Sequence, residues 1–199
     1  MDVLLGFDPG GEGAFGWCVA DDAASLPLRA RASGLASDAR EAVGRALDAL
    51  PPGASVLAAG IDAPLLWSRA GGRAADTAIR RALGRAGYKH SSGTVQSVNS
   101  LRGACLVQGM LAAMELRERI ATLPLSEAHL KALRWLCHQA KAVSERPSEH
   151  ERDALLSAFC AWAAAHRPPD WSDLYLNENR WFSPLHQPLH YFMPAIAGA

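Results

Sequence analysis

Asp8 and Asp62 each close a short apolar run, residues 3–7 and 56–61. Such runs read as strands; the second has no polar alternation and suits a sheet centre covered on both faces. If the two strands are parallel neighbours, both carboxylates emerge at one sheet edge, where open α/β sheets tend to bind ligands. Two such groups repel each other unless they share a proton or a cation. An oxygen-rich site of this kind favours Mg2+ or Mn2+ as cofactor. Ordinary turn chemistry is the plainer account, because Asp8-Pro9-Gly10 suits a turn and a strand-ending Asp caps nearby backbone.

A third acid falls on a helical pattern. Residues 149–166 carry the apolar stripe Ala154, Leu155, Ala158, Phe159 and Trp162, with His150 and Asp153 on one flank. The small Ala154 and Ala158 let this helix approach the sheet, so that Asp153 can reach the strand-end carboxylates. His150 is then a neighbouring ligand or proton carrier. Glu149, Glu151 and Asp153 also complement a helix dipole without any metal. Glu127 ends another strand-like run and is either a fourth acid at the same edge or a charge at the start of the next helix.

Between residues 69 and 102 stand seven basic residues (Arg69, Arg73, Arg80, Arg81, Arg85, Lys89 and Arg102) against one acid, Asp76. A phosphate backbone can be held by such a face, although a solvated helix surface explains it as well. Arg73 and Asp76 also stand at helical pairing distance. The Gly10-Gly11-Glu12-Gly13 turn is no Walker A loop, because no Gly-Lys-Ser/Thr follows. No G-x-S-x-G occurs, and no cysteine has an activating histidine nearby in sequence. His129, His138, His186 and His190 are scattered and read as structural or surface residues.

The elements that must position these groups follow from pattern and punctuation. A hairpin covers residues 3–20, and a third strand is expected at 26–32. Asp38 and Glu41 have capping-box spacing before a helix that stops at Pro51-Pro52-Gly53. Helices are expected at 73–86, 101–120 and 129–143, a short strand at 123–128, and a polar loop at 89–100. Pro147-Ser148 with Glu151 opens the last helix. A hairpin followed by alternating strands and helices argues an α/β fold, a mixed sheet flanked by helices. The organisation reads as one domain over residues 1–167, with residues 168–199 as an aromatic, proline-rich strap packed on it.

At 199 residues, with 49% hydrophobic and 20% charged, the chain has a globular composition. Twenty basic against twenty acidic residues exclude a polybasic binding strategy at whole-chain level. Four separated cysteines without a C-x-x-C pair argue against a disulfide scaffold or a Cys-rich zinc site. The N-terminus has no signal-peptide pattern, and no apolar run approaches a membrane span, so a cytoplasmic protein with free thiols is expected. A homodimer is left open.

Several motifs resemble a known superfamily. They are the Asp8-ended strand, the Gly-rich hairpin with Gly16-Trp17, Ile61-Asp62-Ala63-Pro64-Leu65, the Gly72-Arg73-x-x-Asp76-x-x-x-Arg80-Arg81 segment and His150-x-x-Asp153-Ala154-Leu155. Together, over residues 3–166, they resemble the ribonuclease H-like superfamily, and more closely the family known as domain of unknown function 429. The resemblance implies a five-stranded mixed sheet with its second strand antiparallel, flanked by helices, and a nuclease-like activity. By similarity to RuvC-type junction resolvases it points to Asp8, Asp62, His150 and Asp153 as site residues. Glu127 matches the acid of a Glu-x-x-Pro element whose proline is replaced by Leu130.

Two functions follow as expectations. One is a Mg2+- or Mn2+-dependent nuclease with Asp8, Asp62, Asp153 and Glu127 toward metal, His150 as ligand or proton shuttle, and Arg73, Arg80 and Arg81 holding nucleic-acid phosphates. The other is a non-catalytic ribonuclease H-like module that binds a nucleotide or a protein partner.

Overall fold

The computed structural model describes residues 1–10, 13–68, 73–88, 103–143, 148–178, 181–183, 185 and 188–195. Gly11, Glu12, Arg69, Gly72, the loop expected at 89–100, Arg102, Pro147 and His186 lie outside them. In chain order the elements are β1 (Asp2–Asp8), β2 (Phe15–Asp21), β3 (Ala30–Ala36), α1 (Ala39–Asp48), β4 (Ser55–Ile61), β5 (Trp67–Ser68), α2 (Ala74–Arg85) and α3 (Gly103–Arg119). There follow β6 (Leu125–Glu127), α4 (Leu130–Leu136), α5 (His138–Lys141), α6 (Glu149–His166) and β7 (Trp171–Asp173). A 3-10 turn (Leu174–Asn177), β8 (Trp181–Phe182), β9 (Leu189–His190) and β10 (Phe192–Pro194) complete the chain.

The main sheet runs β3-β2-β1-β4-β6-β9. β2 is antiparallel to both its neighbours, whereas β1, β4, β6 and β9 pair in parallel. It has six strands where five were expected. The sixth, β9, comes from the C-terminal segment and contributes only two residues, too few to leave a periodicity in the sequence. The third strand lies at Ala30–Ala36, later than the expected 26–32. Apart from Leu35 its residues are small or polar, and most are half-buried, so pairing with β2, not apolar pattern, defines it. The single helix expected at 129–143 is two, broken where Cys137 takes extended dihedrals.

Local signals act as the sequence suggests. The Asp38 carboxylate accepts from the Glu41 N–H at 2.9 Å, and Glu41 reaches back to the Ser37 N–H at 2.6 Å. The Ser148 hydroxyl accepts from the Glu151 N–H at 3.1 Å and opens α6.

α6 is the central helix, and residues 154–164 are all buried. It lies against the sheet where three glycines leave room. A Cβ on Gly6 would strike the Ala154 carbonyl, one on Gly16 the His150 carbonyl, and one on Gly60 the Ser157 carbonyl. Alternation then decides what else that face carries. Side chains two apart along a strand share a face, so Asp8 follows Gly6 and Asp62 follows Gly60 on the side that α6 covers. The glycines that admit the helix thus also set the phase of the acids.

The C-terminal segment packs on the same body. Trp171, Leu174, Tyr175, Tyr191, Phe192 and Met193 are buried, and β10 pairs with β7. Cys18, Cys137 and Cys160 are buried and Cys105 half-buried; all four are free thiols. Among the described residues no helix is long and apolar enough to cross a membrane.

Candidate functional site

The ends of β1 and β4 are tied together, because the Asp62 N–H donates to the Phe7 carbonyl at 3.0 Å. β6 joins them through the Ala128 N–H, which donates to the Ile61 carbonyl at 2.7 Å. Asp8, Asp62 and Glu127 therefore stand at one carboxyl edge of three adjacent parallel strands. α6 adds His150 and Asp153 from above. Gly16 lies opposite Asp8 in the β1–β2 register, and the His150 backbone sits over Gly16, so His150 is delivered to Asp8. Its Nδ1 is 2.8 Å from Asp8 Oδ2.

The acids oppose one another's ionisation, on top of the cost of burial. Burial pushes the Asp8 carboxyl up to about 6; Asp153 and Glu149 add to the rise, and the His150 hydrogen bond opposes it. Asp62 is held well above the usual carboxylate range, first by loss of water, then by the charges of Asp8, Asp153 and Glu127. A hydrogen bond from the Leu130 N–H, the first of α4, works the other way. Asp153 is raised by burial, against the lowering effect of Arg152 and Arg134. The buried Arg152 guanidinium donates to Asp153 Oδ1 at 2.7 Å and to Glu149 at 3.1 Å. Nothing in the acid pattern pointed to Arg152, although its i,i+3 spacing from Glu149 was visible.

Glu127 stands apart in what it binds. It is buried, and Oε2 accepts from the Leu65 N–H at 3.0 Å, from Arg73 at 2.8 Å and from the Tyr175 hydroxyl. Its other oxygen accepts from Arg73 at 2.8 Å. Arg73 also donates to both oxygens of Asp76, at 2.7 and 2.9 Å, and to the Leu66 carbonyl at 3.2 Å. Burial works against the Arg73 charge, but Glu127 and Asp76 outweigh it and keep the guanidinium protonated. Its donors face inward, with 7% of the residue exposed. The structure thus places Arg73 and Glu127 in a buried ion-pair network, away from the surface role the sequence suggested for Arg73. The partners that complete the network come from the tail. Tyr175 reaches Glu127, and Glu178 accepts from the Ala75 N–H at the start of α2 at 2.7 Å. Both were missed, since nothing in a Pro-rich tail marks two residues as partners of α2. Arg80 and Arg81 lie on the exposed face of α2.

The cluster at Asp8, Asp62 and Asp153 offers carboxylate oxygens and one imidazole, a donor set that suits a hard divalent cation. Acids that raise one another's pKa are short of positive charge. Among the described residues no three acid, histidine or cysteine side chains converge as a ready-made cage. Asp8 is turned to His150 and Asp153 to Arg152. The residues fit such an ion in donor type and charge; Asp153 would exchange Arg152 for it, while Asp8 would keep His150 on Oδ2.

No family model matches the chain, so the narrower family suggested by its motifs rests on those motifs alone. No curated protein matches it either. Among solved structures, a RuvC structure from Thermus thermophilus overlays with a TM-score of 0.41 at 15% identity, covering 81% of this chain and 95% of the other.

Proposed function

We propose that this chain is a divalent-metal-dependent nuclease of the ribonuclease H-like type, hydrolysing phosphodiesters of nucleic acid. The observation that carries the reading is the placement of Asp8 and Asp62 at the carboxyl ends of neighbouring parallel strands, with α6 bringing His150 to Asp8 and Asp153 one turn further on. The strand order β3-β2-β1-β4-β6, with only β2 reversed, supports the fold type.

In this reading Asp8, Asp62 and Asp153 hold the ion. A divalent cation bound there supplies Lewis acidity toward a water and a phosphoryl oxygen. His150 moves a proton at Nε2, the ring nitrogen not bonded to Asp8, and Asp8 fixes the orientation of the ring. Arg80 and Arg81 take the surface contacts to substrate phosphates. Glu127 and Arg73 act as positioning residues: Glu127 holds the Leu65 N–H, and so the segment that follows Asp62.

The test is Mn2+-dependent cleavage of labelled single- and double-stranded DNA and RNA by the native chain, Asp8→Asn and Asp153→Asn. Cleavage by the native chain that falls to background in both variants is expected. Cleavage that survives unchanged in both removes the reading.

The pairing of Asp8 with His150 and of Asp153 with Arg152 favours one other reading, a non-catalytic module of the same fold that binds a nucleotide or a protein partner. In that case Mn2+ leaves the melting temperature where it was, because nothing on the folded chain binds it.

A further inference from the structure

A second feature lies along α4. Tyr88, Lys131, Arg134, Trp135 and Lys141 line a cavity of about 500 Å3. Lys131, Arg134 and Trp135 are spaced i, i+3 and i+4 and share one face of α4. Trp135 is 41% exposed and meets Tyr88 edge-on at 5.2 Å between ring centroids. Lys141, from the end of α5, stands 5.9 Å from the Trp135 ring. The described lining thus holds three cations, two aromatic rings and no acid.

The place of this cavity matters as much as its lining. α4 begins at Leu130, whose N–H is bonded to Asp62, and Arg134 lies close enough to Asp153 to act on its carboxyl. The cavity and the end of β4 thus share α4, which starts at Leu130 and carries Trp135. Cations beside a part-exposed aromatic ring match a phosphate joined to a base. A duplex keeps its bases stacked inside, so only an unpaired base can use the ring.

We infer that this cavity holds one unpaired nucleotide of single-stranded nucleic acid, its base stacked on Trp135 and its phosphates against Lys131, Arg134 and Lys141. The inference rests on the nucleic-acid reading of the acid site and narrows its substrate class.

The probe is a fluorescein-labelled oligothymidylate of twelve nucleotides, read by anisotropy in EDTA, where no metal-dependent cleavage can occur. Trp135→Ala is expected to weaken binding about tenfold, and Trp135→Phe to keep most of it. Lys131→Gln is expected to reduce the salt dependence of log Kd by about 0.7, the value of one single-strand phosphate contact. A duplex of equal length should compete poorly. Equal binding by native chain and Trp135→Ala, equal competition by the duplex, or no binding by the native chain overturns the inference. The acid-site reading is judged apart, by Mn2+ cleavage. Trp135-dependent binding without cleavage upholds the pocket and removes the nuclease; Asp8-dependent cleavage with Trp135→Ala binding normally does the reverse.

Discussion

The Asp8 carboxyl, two residues beyond Gly6 and one hydrogen bond from His150, ionises at a higher pH than a carboxyl in water. Its folded-state pKa of about 6 lies above the ordinary 3.8, so the folded chain holds this proton more tightly than the unfolded chain. The resulting stabilisation is fully present below pH ~4 and is lost as pH rises through ~6. Above that, the ionised group opposes folding. Asp8→Asn removes the titration and keeps a polar side chain beside His150. At about 1.4 kcal/mol per pKa unit, discounted for solvent screening, the variant should gain roughly 1–2 kcal/mol at pH 7.5. That corresponds to a rise in Tm of about 2–8 °C for a chain of this size. Thermal unfolding in EDTA at pH 5 and pH 7.5 checks it; the gain must be smaller at the lower pH. A difference between variant and native chain that does not change with pH would sink this account of Asp8.

Two elements owe their placement to buried contacts that a helical wheel or strand pattern does not display. α6 comes close to β1, β2 and β4 because Gly6, Gly16 and Gly60 face it. The start of α2 is fastened by Arg73, whose guanidinium bridges Asp76 and Glu127. Arg73→Ala leaves two buried carboxylates without their cation, and loss of one partner from such a pair costs about 3–5 kcal/mol. A fall in Tm well beyond that of an exposed control, Arg81→Ala, is expected in thermal unfolding. If Arg73 were a surface contact for phosphate, the result would be different: Tm would hold and oligonucleotide affinity would fall.

At the scale of the molecule, the tail belongs to the core. β9 completes the main sheet, Tyr175 and Glu178 complete the network around Arg73 and the α2 start, and Tyr191 is fully buried beneath the Arg73 guanidinium at 6.0 Å. A chain ended before Trp171 would uncover the edge of β6 and leave Glu127 without its Tyr175 donor. Such a chain should lose its sharp thermal transition and bind the dye 8-anilinonaphthalene sulfonate, as expanded states do. A cooperative transition at the native Tm would show instead that residues 171–195 are dispensable.

The placement of Asp8 and Asp62 at strand ends, and of His150 and Asp153 three apart on one helix, was legible in the sequence. Apolar runs stop at the first two, and a capped amphipathic helix carries the other pair on one flank. The hairpin, α1, β4 and α6 were legible for the same reason, since each has its own periodicity and its own stop signals. The bounds of β3, the strand β9, the break at Cys137 and the pairing of Arg73 with Glu127 were not. Their residues are small, few or polar, and contacts distant along the chain decide their state. A sequence pattern reports which face of an element is apolar; it carries no record of which buried charge meets which. Arg73 reads as one cation of a basic face until the fold turns it toward Glu127, 54 residues further on. Likewise Lys131, Arg134 and Trp135 form a helix surface in the sequence and become a cavity wall only when Tyr88 and Lys141 are folded against them.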